Sequence, residues 1–322
     1  MFPAIFPHHP FLTKRYQYSQ TVIQRIRRHM EAAVPHASLS IVAVGSFGRG
    51  ELSDVSDLDF FLLHEGDTDE AKLNGLLQRL QREVTPYTAA SENDPEKYSQ
   101  AAVCSYDQIS LEANGKQDSY TALTRRMLLL LEGRPLCGEL FFHQCRQQLL
   151  RHYIKPGDSA NGLARYLLND IVRYYRTLMA NFEHQVTVLG KPWGLRNIKL
   201  HFSRKLLFIG GVVLVAQTSH LPSQEKVARI EHLLHLTPLQ RLQSIGQDNP
   251  STVFLLNHYQ HFLSTISSAR NRQLLDQVNR SNCQQSSLYL QLRELSEVFS
   301  LELERWIRHQ YPAHPIHHAL LF

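Results

Sequence analysis

Apolar positions recur along this chain with two different periods, and the switch between them divides it. Residues 18–34 place Val22, Ile26, Met30 and Val34 four apart, one stripe of an amphipathic helix with a basic outer face, closed by Pro35. Residues 38–44 are instead a short run rich in Val and Ile, which reads as a buried strand and ends in the turn Gly45-Ser-Phe-Gly-Arg-Gly50. Residues 57–63 read as a second strand, and residues 68–84 return to helical spacing through Leu73, Leu76, Leu77 and Leu80. The polar stretch 85–97, with two prolines, is a loop, and residues 103–114 supply one or two further strands turned at Asn114-Gly115. From Tyr120 the spacing is helical almost throughout, broken at Gly133-Arg-Pro135, Pro156-Gly157, Gly190-Lys-Pro192, Pro222 and residues 246–250. The pattern predicts an α+β chain, with a mixed-sheet domain over 1–150 followed by an all-helical domain over 151–322.

Composition narrows the class. At 322 residues, 43% hydrophobic and 20% charged, the chain is ordinary globular protein and not a disordered, collagenous or coiled-coil one. Cys104, Cys137, Cys145 and Cys283 form no C-x-x-C pair, which points to a reducing cytoplasm and away from zinc. The N-terminus lacks the pattern of a signal peptide, and the longest apolar run, Leu206 to Ala216, is eleven residues. A membrane span needs roughly 20, so that run predicts a buried helix and no membrane partner. The histidines at 8, 9, 314, 317 and 318 read as surface positions without a metal-ligand spacing. Near the C-terminus, Leu288, Leu292, Leu295, Phe299, Leu303 and Trp306 make one apolar stripe, a bundle core or the face of a homo-oligomer.

Charge is concentrated in one place. The formal excess is five, and residues 184–224 contain Lys191, Arg196, Lys199, Arg204 and Lys205 with no acid, leaving 29 basic against 29 acidic residues elsewhere. The chain is therefore neutral apart from one basic segment, which suits a local polyanion site better than a nucleic-acid-coating surface. With a helix starting near Leu195, Arg196, Lys199 and Ser203 share one face while Ile198, Phe202, Leu206 and Ile209 form the buried stripe. In the preceding helix Asp170 falls inside the apolar stripe and needs a partner such as Arg173.

The chemistry lies in residues 44–63. Asp57 and Asp59, two apart on a strand, project from one face while Leu58, Phe60 and Leu62 project from the other. Two such carboxylates can hold Mg²⁺, which completes its shell with water and substrate phosphates. Just before them, Gly45 lets the backbone approach a phosphate, Ser46 adds a hydroxyl donor, and Arg49 can add a charge-assisted bond to the same anion. Phosphate donors beside a carboxylate metal site are the minimum apparatus for moving a nucleotidyl group.

This Gly-Ser turn followed by an Asp-x-Asp strand resembles the signature of the DNA polymerase β-like nucleotidyltransferase superfamily. Within it, the Gly-Arg-Gly-Glu-Leu run and the Ser-Asp-x-Asp ending look most like the PII-protein uridylyltransferase branch and related bacterial nucleotidyltransferases. A weaker likeness covers residues 121–138, where those enzymes have a helix ending in an acid-x-Arg turn and a glycine. The resemblance implies transfer of NMP from an NTP to a hydroxyl acceptor, with two Mg²⁺ ions and release of pyrophosphate. It also implies a third carboxylate that acts on the attacking hydroxyl or ligates metal: Glu112 is the first candidate, with Asp107 and Asp118 as alternatives. The superfamily's helical domain commonly supplies Lys and Ser to the triphosphate, which here points to Lys199 and Ser203, assisted by Arg196 or Lys191. The branch has Gly-Gly where this chain has Gly45-Ser46, and this sequence carries no His-Asp dipeptide of the kind its hydrolase domain uses, so a bifunctional nitrogen sensor is not expected. The acceptor stays open between a protein, an RNA end and a small molecule. Synthesis of a signalling oligonucleotide is an alternative, though Arg49-Gly50-Glu51 departs from the Gly-Thr common there. A catalytically inactive nucleotide- or RNA-binding protein is another, with Tyr174, Tyr175 and Trp193 near the basic window.

Overall fold

A computed structural model describes residues 5–31, 38–66, 69–88, 102–110, 118–155 and 162–321. The chain forms two compact units, one running from Leu12 to Tyr153 and the other comprising Ile5–Phe11 and the chain from Ile154 onward.

In the first unit, the apolar run after α1 (Pro10–Glu31) forms β1 (Leu39–Val44), every residue of which is buried. A single helical turn, α2 (Gly45–Arg49), leads toward β2 (Asp59–His64), which returns antiparallel to β1 with Val44 opposite Asp59. After α3 (Glu70–Val84), the short β3 (Val103–Ser105) pairs parallel with β2, so the sheet is mixed, in the order β3-β2-β1-β4. Alternation along β1 sends Ile41 and Ala43 into a core with Ile23, Ile26 and Met30 of α1 and Leu73, Leu77 and Leu80 of α3. The helices α5 (Tyr120–Leu131) and α6 (Glu139–Tyr153) also contact β1.

Two elements differ from the sequence expectation. The Gly133-Arg-Pro135 break is the start of β4 (Arg134–Cys137), which pairs antiparallel with β1. Four residues with one proline carry too little periodicity to announce a strand, and its place at the sheet edge tolerates the missing N–H of Pro135. The strand expected to continue past Ser105 instead turns into α4 (Tyr106–Ile109), because Ser105 and Gln108 form a capping box that nucleates a helix. Residues 111–117 lie outside the described residues.

The second unit is helical. Its centre is α9 (Lys205–Gln217), whose apolar run is buried on nearly all sides. It contacts α7 (Arg165–Thr187), α10 (Ser223–Leu234) and α11 (Pro238–Ile245). The helix α8 (Gly194–Lys199) reaches α9 through a π turn at Leu200–Arg204. The unit continues through α12 (Ser251–Ile266), α13 (Ala269–Asp276), α14 (Ser287–Gln310) and α15 (Ile316–Leu321). Phe202 of the π turn stacks on Phe262 at 4.3 Å and packs near Phe299, which joins α12 and α14 to the centre. The buried stripe of α14 runs through Tyr289, Leu292, Ser296, Phe299, Leu303 and Trp306, so the expected apolar stripe is core along most of its length. Asp170 finds its partner in Arg173, 2.8 Å away. Among the described residues no helix is long and apolar enough to cross a membrane, and all four thiols are free.

Candidate functional site

The site grows from the end of β1. Gly45 takes a φ of +64°, a region that costs any residue with a Cβ about 1–2 kcal/mol. A Cβ there would also fall 2.6 Å from Asp59 Oδ2, so glycine is required for two reasons. The same fact places the Asp59 carboxylate directly against the Gly45 backbone. Gly50, with φ +71°, ends the turn, and the Glu51 N–H closes it onto the Ser46 carbonyl at 2.8 Å. From residue 41 through residue 50, Ser46 alone is not buried, which leaves its hydroxyl as the open polar group of the turn.

The segment between the turn and β2 is fixed by short bonds. Leu52 N–H donates to Ser19 Oγ of α1 at 2.9 Å, and Ser53 and Ser56 tie the loop through Ser53 N–H to Ser56 Oγ at 3.0 Å and Ser56 N–H to the Ser53 carbonyl at 2.9 Å. Leu58 is buried, Asp57 half-buried and Asp59 exposed, so burial alternates over these three residues. The strand is shorter than expected: β2 begins at Asp59, and Asp57 lies on the extended approach to it.

Beneath the turn is a buried ionic network. Glu132, with a side chain fully shielded from solvent, follows α5 and accepts from Gly45 N–H at 3.1 Å and from Arg49 Nη1 at 2.7 Å. Arg49 Nε donates to Glu51 Oε2 at 2.8 Å. Gly48 lies so close that a Cβ would meet the Glu132 carbonyl oxygen at 2.2 Å. The expectation that Arg49 reaches a substrate phosphate therefore meets a side chain that is 8% exposed and held inward by two carboxylates. Likewise the Gly45 N–H is spent on Glu132, and Ser46 is the residue of the turn that is not buried. Glu132 and Arg134 are the acid-x-Arg turn noted in the sequence; what the spacing did not disclose is that Glu132 braces the Gly-Ser turn.

The third-carboxylate candidates fall in different places. Glu112 lies outside the described residues. Asp107 is exposed on α4, not on a strand. Asp118 forms a two-pronged ion pair with buried Arg126 at 3.0 and 3.1 Å, and Arg126 also donates to Tyr153 Oη and the Ile109 carbonyl, which gives Asp118 a structural partner.

In the second unit the basic face is rearranged. Arg196 Nη1 donates to Gln185 Oε1 at 3.0 Å, and Lys199 ends α8. The acid absent from the local sequence is supplied by α13: the Asp276 carboxyl is raised by burial, against the opposing pull of Lys199, Arg272 and Arg196. Ser203 is buried, whereas Arg196 and Lys199 are half-buried. The π turn inserts an extra residue into the helical register and carries Ser203 into the core, where its Oγ accepts from Tyr259 Oη at 3.2 Å.

Comparison with known proteins agrees with this geometry. Residues 23–106 match the nucleotidyltransferase domain family, a span that holds the turn, both aspartates and β1 to β3. A 40-residue stretch is 58% identical to a bifunctional uridylyltransferase/uridylyl-removing enzyme of Streptomyces coelicolor, covering 12% of this chain and 5% of that relative's length. The first unit thus carries a domain of the nucleotidyltransferase superfamily.

Proposed function

We propose that this chain transfers a nucleoside monophosphate from an NTP to a hydroxyl acceptor in a Mg²⁺-dependent reaction that releases pyrophosphate. The observation that carries the reading is the seating of the Gly45-Ser46 turn against the Asp59 carboxylate, where a single added Cβ would fall 2.6 Å from Oδ2. Asp57 and Asp59 offer hard oxygen donors, one half-buried and one exposed, a donor set suited to Mg²⁺. When bound there, the ions supply Lewis-acid polarisation of the phosphoryl oxygens and lower the cost of ionising the acceptor hydroxyl.

The remaining work falls to the chain's own groups. Ser46 Oγ donates to a phosphate oxygen, and Gly45 clears the space through which that phosphate approaches Asp59. Arg49 and Glu132 act one layer below, holding the turn in shape. Glu112 is proposed to take the proton of the acceptor hydroxyl, and Arg196 and Lys199 to contact anionic substrate on the second unit. The name of the Streptomyces relative makes UTP the first nucleotide and a protein hydroxyl the first acceptor to test.

The test incubates the protein with each α-labelled NTP and Mg²⁺, with and without cell extract. Label moving to a protein, an RNA end or a small product supports transfer and names the acceptor class, and a labelled oligonucleotide made from NTP alone supports the signalling alternative. Nucleotide that binds but releases no pyrophosphate under any condition supports a binding protein and contradicts the transfer reading.

A further inference from the structure

Three basic side chains gather within the second unit, apart from the groups assigned above. His201 and Lys205 stand four residues apart where the π turn runs into α9. On α14, Arg293, Ser296 and Ser300 follow at spacings of three and four. The two strips meet where Lys205 Nζ donates to Ser300 Oγ at 2.5 Å, and within α14 Arg293 Nη1 donates to Ser296 Oγ at 3.3 Å. The serine hydroxyls pass their own protons to α14 carbonyls, Ser300 to Ser296 at 2.6 Å and Ser296 to Arg293 at 2.6 Å. They therefore tether the cations without neutralising them.

The electrostatics are those of crowded like charges. His201, Lys205 and Arg293 are each half-buried. The His201 imidazole is pulled down to about 4 by burial and then by Arg293 and Lys205, and the Lys205 ammonium is lowered by burial and by Arg293. Arg293 pairs at 3.6 Å with Glu297 of α14, which is 64% exposed, where water screens it. Partly desolvated cations paired with an exposed acid are relieved further by an anion that accepts from several donors at once.

We propose that His201, Lys205 and Arg293 form a binding site for a phosphoryl-type oxyanion, presented as inorganic phosphate, as pyrophosphate or as the terminal phosphate of a nucleotide. Arginine supplies planar paired donors, lysine a point charge, and His201 a proton once the anion is in place. The site stands independently of the transfer reading, because none of these residues belongs to the Asp57–Asp59 constellation.

The test titrates the full chain separately with inorganic phosphate, pyrophosphate and Mg²⁺-free UTP, following the His201 ring signals by NMR. At least one anion should raise the pH at which His201 titrates, and the arm that does so most strongly names the source. Arg293→Ala and Lys205→Ala should each weaken that anion about tenfold or more, the loss of one charge-assisted bond, while Arg293→Lys retains most of the affinity. Melting curves separate lost binding from lost fold, and the wild-type NMR arm stands even where a variant misfolds. The proposal is overturned when none of the three anions moves the His201 titration, or when folded Arg293→Ala and Lys205→Ala bind as wild type does. Either result leaves pyrophosphate release by the Asp57–Asp59 site unaffected.

Discussion

Arg49 and Lys205 both come from segments that the sequence marks for anion binding, and they sit in opposite settings. Arg49 is buried between Glu132 and Glu51, two carboxylates to one guanidinium, so its charge is consumed in holding a backbone turn. Lys205 is half-buried beside His201 and Arg293 and donates to the Ser300 hydroxyl, so its charge is still directed at whatever anion arrives. Residue type and spacing alone do not separate the two; the count of opposite charges in the immediate surroundings does.

The comparison can be broken most forcefully at Glu132. Glu132→Ala removes one of the two carboxylates that hold Arg49, leaves the Gly45 N–H without its acceptor in a buried place, and should cost about 3–5 kcal/mol in denaturant unfolding, the usual penalty for breaking a buried ion pair. A loss below about 1 kcal/mol would mean that the network does not support the turn. Gly45→Ala comes next: strain at positive φ of about 1–2 kcal/mol, plus displacement of the Asp59 carboxylate, so turnover should fall by more than stability does. Unchanged turnover in a folded Gly45→Ala protein would break the link between turn and aspartate.

The second setting predicts small effects. Arg293→Ala should change stability in anion-free buffer by no more than about 0.5 kcal/mol, since it removes an exposed ion pair and relieves repulsion at the same time. The cluster should also show in pH dependence. His201 titrates near 6.5 when unfolded and about 4 when folded, so the unfolded chain takes the proton first. Stability therefore declines as pH falls from about 6.5 toward 4 and is fully present above that window. In His201→Gln that part of the decline should vanish, with Lys205 and Arg293, the cations facing it, left in place.

Much of this was legible beforehand, for physical reasons. The continuous apolar run of β1, the Gly-Ser turn and the alternation of Asp57, Leu58 and Asp59 are short-range patterns, and short-range patterns survive into the fold. The helices of the second unit were equally plain, as was the burial of the run at 206–216. What could not be read depended on contacts distant in sequence. Nothing local to Arg49 announces Glu132, 83 residues away, and nothing in residues 134–137 announces a partner in β1. The burial of Ser203 could not be read because helical spacing assumes 3.6 residues per turn, and the π turn at 200–204 breaks that count. The acid-free window was a true feature of the sequence that the fold partly offsets, with Asp276 brought beside Lys199 and Arg196 while the cluster at His201 is left basic.

The central claim is that Asp57 and Asp59 carry nucleotidyl transfer, and it is tested most directly by Mg²⁺-dependent pyrophosphate release from NTP in wild type and in the Asp57→Asn/Asp59→Asn double variant. Because both side chains have solvent access, the double variant should keep the wild-type melting temperature within a few degrees. Metal-assisted stabilisation worth several kcal/mol then predicts a fall in release of at least about 10²-fold. Release by the folded double variant at the wild-type rate would contradict the account.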